Sequence, residues 1–232
     1  MIRAYLFLAF FIPYTGLVAL SAICGTLFDR TGRWMHRHAC FWAKGGLKVA
    51  GVRYRVYGQD NIPVSGPLIF MSNHQGNFDI LTLYQAIPQQ FAWLAKEELF
   101  KIPVFGQAMA RGGYIPVDRG DGRKALKSLD AAAELIRTGR SVLIFPEGTR
   151  STDGQLLPFK RGGFILAAKA GVPVVPVAIS GSLTINPPRQ NRLYPGTITI
   201  RFGEPIPAAG CKPAQLQDQV QAAITNLLEK PC

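Results

Sequence analysis

Acidic residues are scarce in this chain: 14 Asp and Glu residues stand against 26 Lys and Arg residues, giving a formal net charge of +12. A protein so short of carboxylates is suited to an anionic partner. Nucleic acid, a membrane surface, and a phosphorylated or CoA-like substrate are the candidate classes. Nucleic acid is disfavoured, because no helix-turn-helix, zinc-finger or RNA-recognition pattern occurs in the sequence.

Cysteine is also rare, and its spacing excludes a zinc module. Cys24, Cys40, Cys211 and Cys232 form no CxxC pair, so we interpret them as reduced and structural, which fits a cytoplasmic domain. The phosphate-binding pattern GxxxxGK[ST] is missing as well, and the chain has neither repeats nor low-complexity tracts. The sequence therefore gives no sign of a P-loop phosphate site.

Charge is missing altogether from residues 4–28, AYLFLAFFIPYTGLVALSAICGTLF. An apolar helix of this length could span a bilayer. A cleaved signal peptide is the alternative, but basic residues on both flanks favour an uncleaved anchor. These flanking residues are Arg3, Arg30, Arg33, Arg37 and Lys44. Pro13 and Gly16 could bend the helix, so spanning the bilayer and dipping into one leaflet both stay open.

The following segment, DRTGRWMHRHACFWAKGGLK, mixes basic residues with Trp34, Phe41 and Trp42. This combination is typical of an element that lies on an anionic membrane surface. A solvated basic helix packed on the core is the alternative. We therefore predict an N-terminal membrane-anchoring helical element over residues 1–50 and one globular domain over residues 51–232.

From residue 51 onward, apolar runs bounded by turn residues predict strands, and amphipathic stretches between them predict helices. The predicted strands are VRYRVYG, GPLIFMS, FAWLA, GGYIPVD, SVLIFP, VPVVPVAIS and TITIRFG. The predicted helices are DILTLYQAI, KEELFK, DGRKALKSLDAAAELIRTG, GGFILAAKAG and PAQLQDQVQAAITNLLEK. The alternation predicts an α/β fold with a largely parallel central sheet flanked by helices. The prolines of VPVVPVAIS favour a strand end or edge, and SLTINPPRQNRLYPG is predicted to be a loop.

His74 and Asp79 lie in SNHQGNFDIL, directly after the apolar run PLIFM. This spacing puts two side chains about 140° apart on a regular helix, so they meet only if His74 lies in a loop and Asp79 in the first helical turn. The carboxylate would then fix the imidazole tautomer and leave the other ring nitrogen free as a base. A helix cap beside a loop histidine explains the spacing equally well. A metal site is a weaker alternative, because no third ligand is nearby.

Two further segments combine cations with turn residues. FPEGTRS, residues 145–151, follows a predicted strand, and its Arg150 is suited to bidentate phosphate binding. KEELFKIPVFGQAMARGGYIPVDR, residues 96–119, offers Lys96, Arg111 and Arg119 as anion contacts. Taken alone, the first segment is equally an ordinary β-turn with a surface arginine, and the second a solvated basic face.

Together these segments resemble the glycerolipid acyltransferase family, in particular its 1-acylglycerol-3-phosphate acyltransferases. NHQGNFD is similar to the family's first motif, NHxxxxD, at His74 and Asp79. Residues 96–119 resemble the second motif, FPEGTRS the third and VPVVPVAI the fourth. All four occur in the family's order, which makes the resemblance specific. Gly76 departs from the pattern, since many members have serine there.

The resemblance implies transfer of a fatty acyl group from acyl-CoA or acyl carrier protein to the sn-2 hydroxyl of 1-acylglycerol-3-phosphate, giving phosphatidic acid. His74 would be the general base, worth about 10²–10⁴-fold in rate, and Asp79 would orient it. It implies no metal and no cofactor besides the acyl-carrying co-substrate, because thiolate is a good leaving group. The residues implied to bind the acceptor phosphate are Lys96, Arg119, Glu147, Gly148, Thr149 and Arg150.

The expected partners are the membrane bilayer, lysophosphatidic acid and the acyl donor, with no nucleic acid. The expected location is the cytoplasmic face of a bacterial inner membrane. Two alternatives stay open: an acyltransferase for another lysolipid, such as a lysophospholipid or lyso-ornithine lipid, and a catalytically inactive membrane-binding module.

Overall fold

A computed structural model of the protein describes residues 1–26, 28–29, 31–117, 122–188 and 190–230. The strands are β1 (Val52–Tyr57), β2 (Ile69–Ser72), β3 (Phe91–Lys96), β4 (Ile115–Val117), β5 (Ser141–Ile144), β6 (Val174–Ser180) and β7 (Gly196–Phe202). The helices are α1 (Ile2–Gly25), α2 (Arg33–Ala50), α3 (Phe78–Ala86), α4 (Phe105–Arg111), α5 (Gly122–Arg137), α6 (Gly162–Ala170), α7 (Ser182–Ile185) and α8 (Pro213–Glu229). Short 3-10 helices cover Gln59–Asn61 and Glu97–Lys101.

One seven-stranded sheet forms the centre of the molecule, in the order β1-β7-β6-β2-β5-β3-β4. Neighbouring strands are parallel, except that β6 and β7 pair antiparallel. Helices cover both faces. The prediction of an α/β fold with a largely parallel sheet flanked by helices is therefore confirmed, and all the predicted strands are present.

Strand β2 shows why its sequence is a continuous apolar run. Phe70 belongs to the core layer under α2 and α3, whereas Ile69 and Met71 belong to the layer under α5, α6 and α8. All three side chains are fully buried. A strand covered on both faces has no solvent side on which polar residues could alternate. The pattern thus places β2 in the middle of the sheet.

The sheet register brings the candidate residues to one edge. Met71 of β2 pairs with Ile144 of β5, and Trp93 of β3 pairs with Leu143 of β5. Because these strands are parallel, their carboxyl ends meet at the same edge of the sheet. The loops after β2, β3 and β5 begin there, so three segments far apart in sequence surround one volume.

The N-terminal helices pack on this domain. Ala4 of α1 and Ala43 and Leu47 of α2 are buried in the core layer that also holds α3. The rest of α1 is largely exposed and apolar; Leu6 and Leu17 are 67% and 69% accessible. Among the described residues, α1 is the single helix long and apolar enough to cross a membrane. The predicted division into residues 1–50 and 51–232 coincides with the end of α2 at Ala50 and stays a prediction.

The proline prediction for β6 was only half right. Pro173 precedes the strand, as expected, but Pro176 lies inside a central strand, opposite Met71 of β2. The carbonyl of Pro176 accepts a hydrogen bond from Gly203 at 2.9 Å, and ladder pairing with β7 begins only at Val177. In a strand, the nitrogen and the carbonyl of one residue point to the same side. The nitrogen of Pro176, which carries no hydrogen, therefore faces β7 at the end of the β6–β7 ladder. A central proline is tolerated there.

Candidate active site

His74 and Asp79 are in direct contact. Nδ1 of His74 lies 2.7 Å from Oδ2 of Asp79, with the carboxylate fully buried and the imidazole 13% exposed. His74 is in the loop after β2, and Asp79 is in the first turn of α3, as the spacing required. Because a carboxylate is an acceptor, Nδ1 carries the proton and Nε2 keeps a lone pair. The pair has the arrangement of a base and the group that orients it.

Asp79 also closes the loop that carries the histidine. Its Oδ2 atom accepts backbone N–H bonds from Gln75 at 2.7 Å and Gly76 at 2.8 Å. A Cβ atom on Gly76 would lie 3.0 Å from the carbonyl oxygen of Ser182. The departure from serine at residue 76 therefore accompanies a close approach of this loop to α7. It leaves the contact of His74 with Asp79 intact.

Two residues that sequence reasoning did not single out support the histidine and its loop. Phe145 stacks on the imidazole, with ring centroids 3.9 Å apart and planes 6° apart. Asn73 bonds to both backbone groups of Ile179, at 2.9 and 2.7 Å, and so ties the loop to β6. Both residues lie in the quoted motifs, but only tertiary structure reveals their contacts.

Glu147 is buried, at 2% exposure. Its Oε1 accepts the backbone N–H of His74 at 2.7 Å, and its Oε2 accepts that of Leu157 at 2.9 Å. Burial raises the pKa of this carboxyl, and the two backbone donors oppose the shift. A buried carboxylate would repel a phosphate. We therefore assign Glu147 a positioning role through the His74 backbone, in place of the phosphate contact expected from the sequence.

Arg150 and Thr149 are exposed beside the histidine loop. Nη1 of Arg150 donates to Oδ1 of Asn77, and Nδ2 of Asn77 donates to Oδ1 of Asn186 at 2.9 Å. Among the residues that the structure describes, no carboxylate pairs with Arg150. Its charge is thus available to an anionic ligand. Gly148, with φ of 71°, forms the turn that brings these residues past His74.

The other predicted cations are distributed differently. Lys96 lines the same cavity as His74, although it also forms an exposed ion pair with Glu98 at 3.0 Å. Arg111 bonds to Thr26 at 3.1 Å, near the end of α1. Arg119 lies outside the described residues. Lys160, which sequence reasoning missed, places its ammonium 3.0 Å from where a Cβ of Gly148 would be.

Two cavities adjoin the loop that carries His74. The first, which we call the His74 cavity, has a volume of about 650 Å³ and is lined by His74, Lys96, Phe145 and apolar residues of α1, α2 and α4. The second, the Gln75 cavity, has a volume of about 940 Å³ and is lined by Gln75, Gly76, one side of α1, residues 149–152 and residues of the loop after α7. The site therefore has room for two ligands.

The lining of the His74 cavity includes two phenols, those of the buried Tyr84 and the half-buried Tyr114. The hydroxyls of Tyr84 and Tyr114 share a hydrogen bond. Burial raises the pKa of Tyr114 to about 12 and that of Tyr84 well above its ordinary value. Both phenols stay neutral at physiological pH, so they add no charge to the wall. Together with the apolar lining, this suits an uncharged chain.

The residues 53–180, more than half of the chain, match the family model described as acyltransferase. The chain belongs to the acyltransferase family.

No group of three or more His, Cys, Asp and Glu side chains that could hold a metal ion occurs among the described residues.

Curated relatives in the acyltransferase family carry consistent names. A chloroplastic 1-acyl-sn-glycerol-3-phosphate acyltransferase of Brassica napus is 39% identical over 203 residues, which are 86% of this chain and 58% of that protein. A protein of the same name from Pseudomonas aeruginosa is 37% identical over 184 residues, 78% of this chain and 70% of that protein. The chain spans 52–58% of the length of the plant and algal relatives.

A solved acyltransferase has the same fold along nearly its whole length. It is the crystal structure of the 1-acyl-sn-glycerophosphate (LPA) acyltransferase PlsC from Thermotoga maritima, with a TM-score of 0.84 and 25% identity. The alignment covers 98% of this chain and 97% of that one. The N-terminal helices therefore belong to the shared architecture as much as the sheet does.

Proposed function

We propose that this protein transfers a fatty acyl group from a thioester donor to the sn-2 hydroxyl of 1-acylglycerol-3-phosphate, giving phosphatidic acid. The observation that carries the proposal is the 2.7 Å contact of His74 with a fully buried Asp79 at the edge of a cavity. The names of the relatives support the choice of acceptor.

The proposed reaction is a direct transfer. Nε2 of His74 takes the proton of the acceptor hydroxyl as its oxygen attacks the thioester carbonyl carbon. Asp79 stabilises the imidazolium that forms, and base catalysis of this kind contributes about 10²–10⁴-fold. When the tetrahedral intermediate collapses, the C–S bond breaks and the thiolate takes the proton from the imidazolium. The products are an ester and a free thiol, and no enzyme-bound acyl group is formed.

Arg150 supplies the main contact to the acceptor phosphate in this proposal. Its guanidinium has a neutral partner in Asn77, and planar N–H donors match phosphate oxygens. Lys96 and Thr149 line the same cavity as Arg150 and offer an ammonium group and a hydroxyl. Lys160 adds positive potential behind Gly148. These positively charged groups compensate the negative charge of the acceptor, which the carboxylate of Asp79 alone would repel.

The donor and the location follow from charge and hydrophobicity. Acyl-CoA and acyl carrier protein are both anionic acyl thioesters, and the net charge of +12 suits either. The exposed apolar surface of α1 would associate with a bilayer and hold the site close to lipid substrates. We propose the cytoplasmic face of a bacterial inner membrane, where both donors are made available.

A panel of acceptors tests the reaction. Purified protein in vesicles is incubated with labelled acyl-CoA or acyl carrier protein and, in turn, with lysophosphatidic acid, other lysophospholipids and lyso-ornithine lipid. We expect transfer to lysophosphatidic acid to be fastest, because it presents an unmasked phosphate to Arg150. A preference for an acceptor without glycerol phosphate would overturn the proposed substrate but keep the chemistry.

His74→Ala tests the base itself. We expect loss of transfer by at least about 10²-fold, because the hydroxyl no longer has a proton acceptor. Binding to vesicles should persist, since His74 contributes nothing to the exposed surface of α1. A variant that keeps most of its turnover would eliminate His74 as the base, and a wild-type protein that binds vesicles without any turnover would favour the inactive membrane-binding module.

A further inference from the structure

The two cavities at the active site share one wall. Trp42, Asn77, Ile80, Thr149 and Arg150 line both of them. His74 lines one cavity, whereas Gln75 and Gly76, the next residues along the loop, line the other. A ligand in the His74 cavity therefore touches the histidine itself, and one in the Gln75 cavity lies against the next residues of the same loop.

The Gln75 cavity has two walls of opposite character. Phe7, Leu8 and Phe11 of α1 form an apolar wall. The facing wall consists of residues 149–152 and the loop after α7, with hydroxyl, amide and guanidinium groups. A lysolipid has the same division, with one apolar chain and one polar head. The His74 cavity is lined mainly by apolar side chains of α1, α2 and α4 and by the phenols of Tyr84 and Tyr114, and its polar residues include His74 and Lys96.

We propose that the Gln75 cavity holds the glycerol and the existing acyl chain of the lysolipid acceptor, and that the His74 cavity receives the chain of the donor. This assignment rests on the proposed function and names the place of each substrate. Arg150 stands in the shared wall with no carboxylate partner among the described residues, so the acceptor phosphate binds where the two cavities meet. The hydroxyl next to it is then presented to His74.

The exposed side of α1 gives the acceptor a route into this cavity. Leu8 lines the cavity and is also 46% exposed, and Tyr5 beside it is 56% exposed. The apolar wall is thus continuous with the apolar outer surface of the helix. A lysolipid chain can move from a bilayer along α1 into the cavity without passing through water.

Asn77 connects Arg150 to the loop after α7 through hydrogen bonds. It accepts from Arg150 and donates to Asn186, which belongs to the loop on the far side of the Gln75 cavity. Asn186 in turn donates to the carbonyl of Arg192 at 2.9 Å. The guanidinium that binds phosphate is therefore connected to the polar wall that would contact the glycerol.

Leu8→Trp, which narrows the Gln75 cavity, tests the assignment, with Leu6→Trp as its matched control. Leu6 lies outside both cavities, about 200° from Leu8 around the same helix, and is 67% exposed. Displacing as few as two methylene groups from an apolar wall weakens binding by about tenfold. We expect Leu8→Trp to raise the KM for 1-oleoyl acceptor by at least about tenfold, and that for 1-hexanoyl acceptor by less than about twofold.

Kinetics with acyl donors of different chain length distinguish the roles of the two cavities. With acyl-CoA chains of increasing length, Leu8→Trp and Leu6→Trp should keep the wild-type preference. A shift of donor preference in Leu8→Trp, or equal acceptor kinetics in the two variants, overturns the assignment while leaving the acyltransferase reaction standing. A wild-type protein that acylates no lysophosphatidic acid overturns the proposed function and the assignment with it. Should Leu8→Trp unfold in a thermal melt, Leu8→Ala, which removes the same contact, must weaken the long acceptor selectively.

Discussion

One oxygen of Asp79 holds the reactive loop together. Oδ2 accepts from the imidazole of His74 and from two backbone N–H groups, whereas the buried Oδ1 has no hydrogen-bond partner among the described groups. The two backbone bonds fix the carboxylate in place, and its charge is directed at the ring. The loop is therefore organised around the negative charge as well as around the shape of the side chain.

The substitution Asp79→Asn removes the negative charge of the side chain and nearly keeps its shape. The backbone donors would hold the amide oxygen at the Oδ2 position and leave the NH₂ group buried where Oδ1 was unpartnered. The imidazolium would lose its counter-charge, so we expect kcat to fall by about 10²–10⁴-fold with a small change in the acceptor KM. Steady-state kinetics on the folded variant measure both constants. Retention of more than about a tenth of kcat would mean that the charge is dispensable.

At the scale of single residues, the sequence predicts the contact between His74 and Asp79 better than it predicts the roles of the residues around that contact. The spacing of His74 and Asp79 requires a loop followed by a first helical turn, and the structure has both. Glu147 could not be placed in the same way, because its partners, the amides of His74 and Leu157, lie 73 and 10 residues away. No local pattern distinguishes a carboxylate that orders two loops from one that binds a ligand.

Among the elements, strands buried on both faces were the easiest to predict. Helix α4 was not predicted, because it begins in an unusual way. Val104 has φ of 63° and ψ of −55°, and the amide of Phe105 donates to the carbonyl of Pro103 at 2.6 Å. A β-branched residue in that conformation is strained, and Val104 packs against a small apolar cluster formed by α1, α2 and α4.

Helix α2 carries a half-buried histidine, His36, that couples its packing to pH. His36 contacts the rings of Tyr84 and Phe91, and burial lowers its pKa to about 4, from 6.5. Between these values the unfolded chain binds a proton that the folded protein excludes. Stability is therefore complete above about pH 6.5 and falls as the pH drops toward 4, by an amount on the order of 3 kcal/mol.

His36→Phe removes this titration and keeps an aromatic ring. Denaturant unfolding in detergent, measured from pH 7 to pH 4.5, should show a steeper loss of stability in wild type than in the variant. The difference between the two proteins isolates His36 from the carboxyls that titrate in both. Parallel curves would show that the imidazole accepts its proton without leaving the folded state.

The whole molecule is asymmetric in charge and hydrophobicity. The outer surface of α1 is apolar, and a stripe of α2 exposes basic side chains with Phe41 among them: Arg33, Arg37, Lys44 and Lys48. The opposite face of the sheet is covered by α5, α6 and α8. The sequence indicated these two N-terminal segments, but their packing against α3 and α4 follows from contacts that no periodicity shows.

Charge reversal on α2 should weaken binding to anionic bilayers selectively. Each basic residue near such a surface contributes about 1 kcal/mol, so Arg37→Glu with Lys44→Glu should lower the partition coefficient by at least about tenfold. Binding to zwitterionic vesicles depends on the apolar surface of α1 and should change little. High salt should reduce the difference between wild type and variant, because it screens exposed charges.

The matched control carries the same change of charge on another surface. Lys212 and Lys230 are exposed at the two ends of α8, on the far side of the sheet from α2. Vesicle sedimentation of Lys212→Glu with Lys230→Glu should give nearly wild-type binding at physiological salt, where a charge acts over about 8 Å. If both pairs weaken binding equally, the net charge drives association. If only the α2 pair does, the basic stripe faces the bilayer and, with α1, holds the two active-site cavities at its surface.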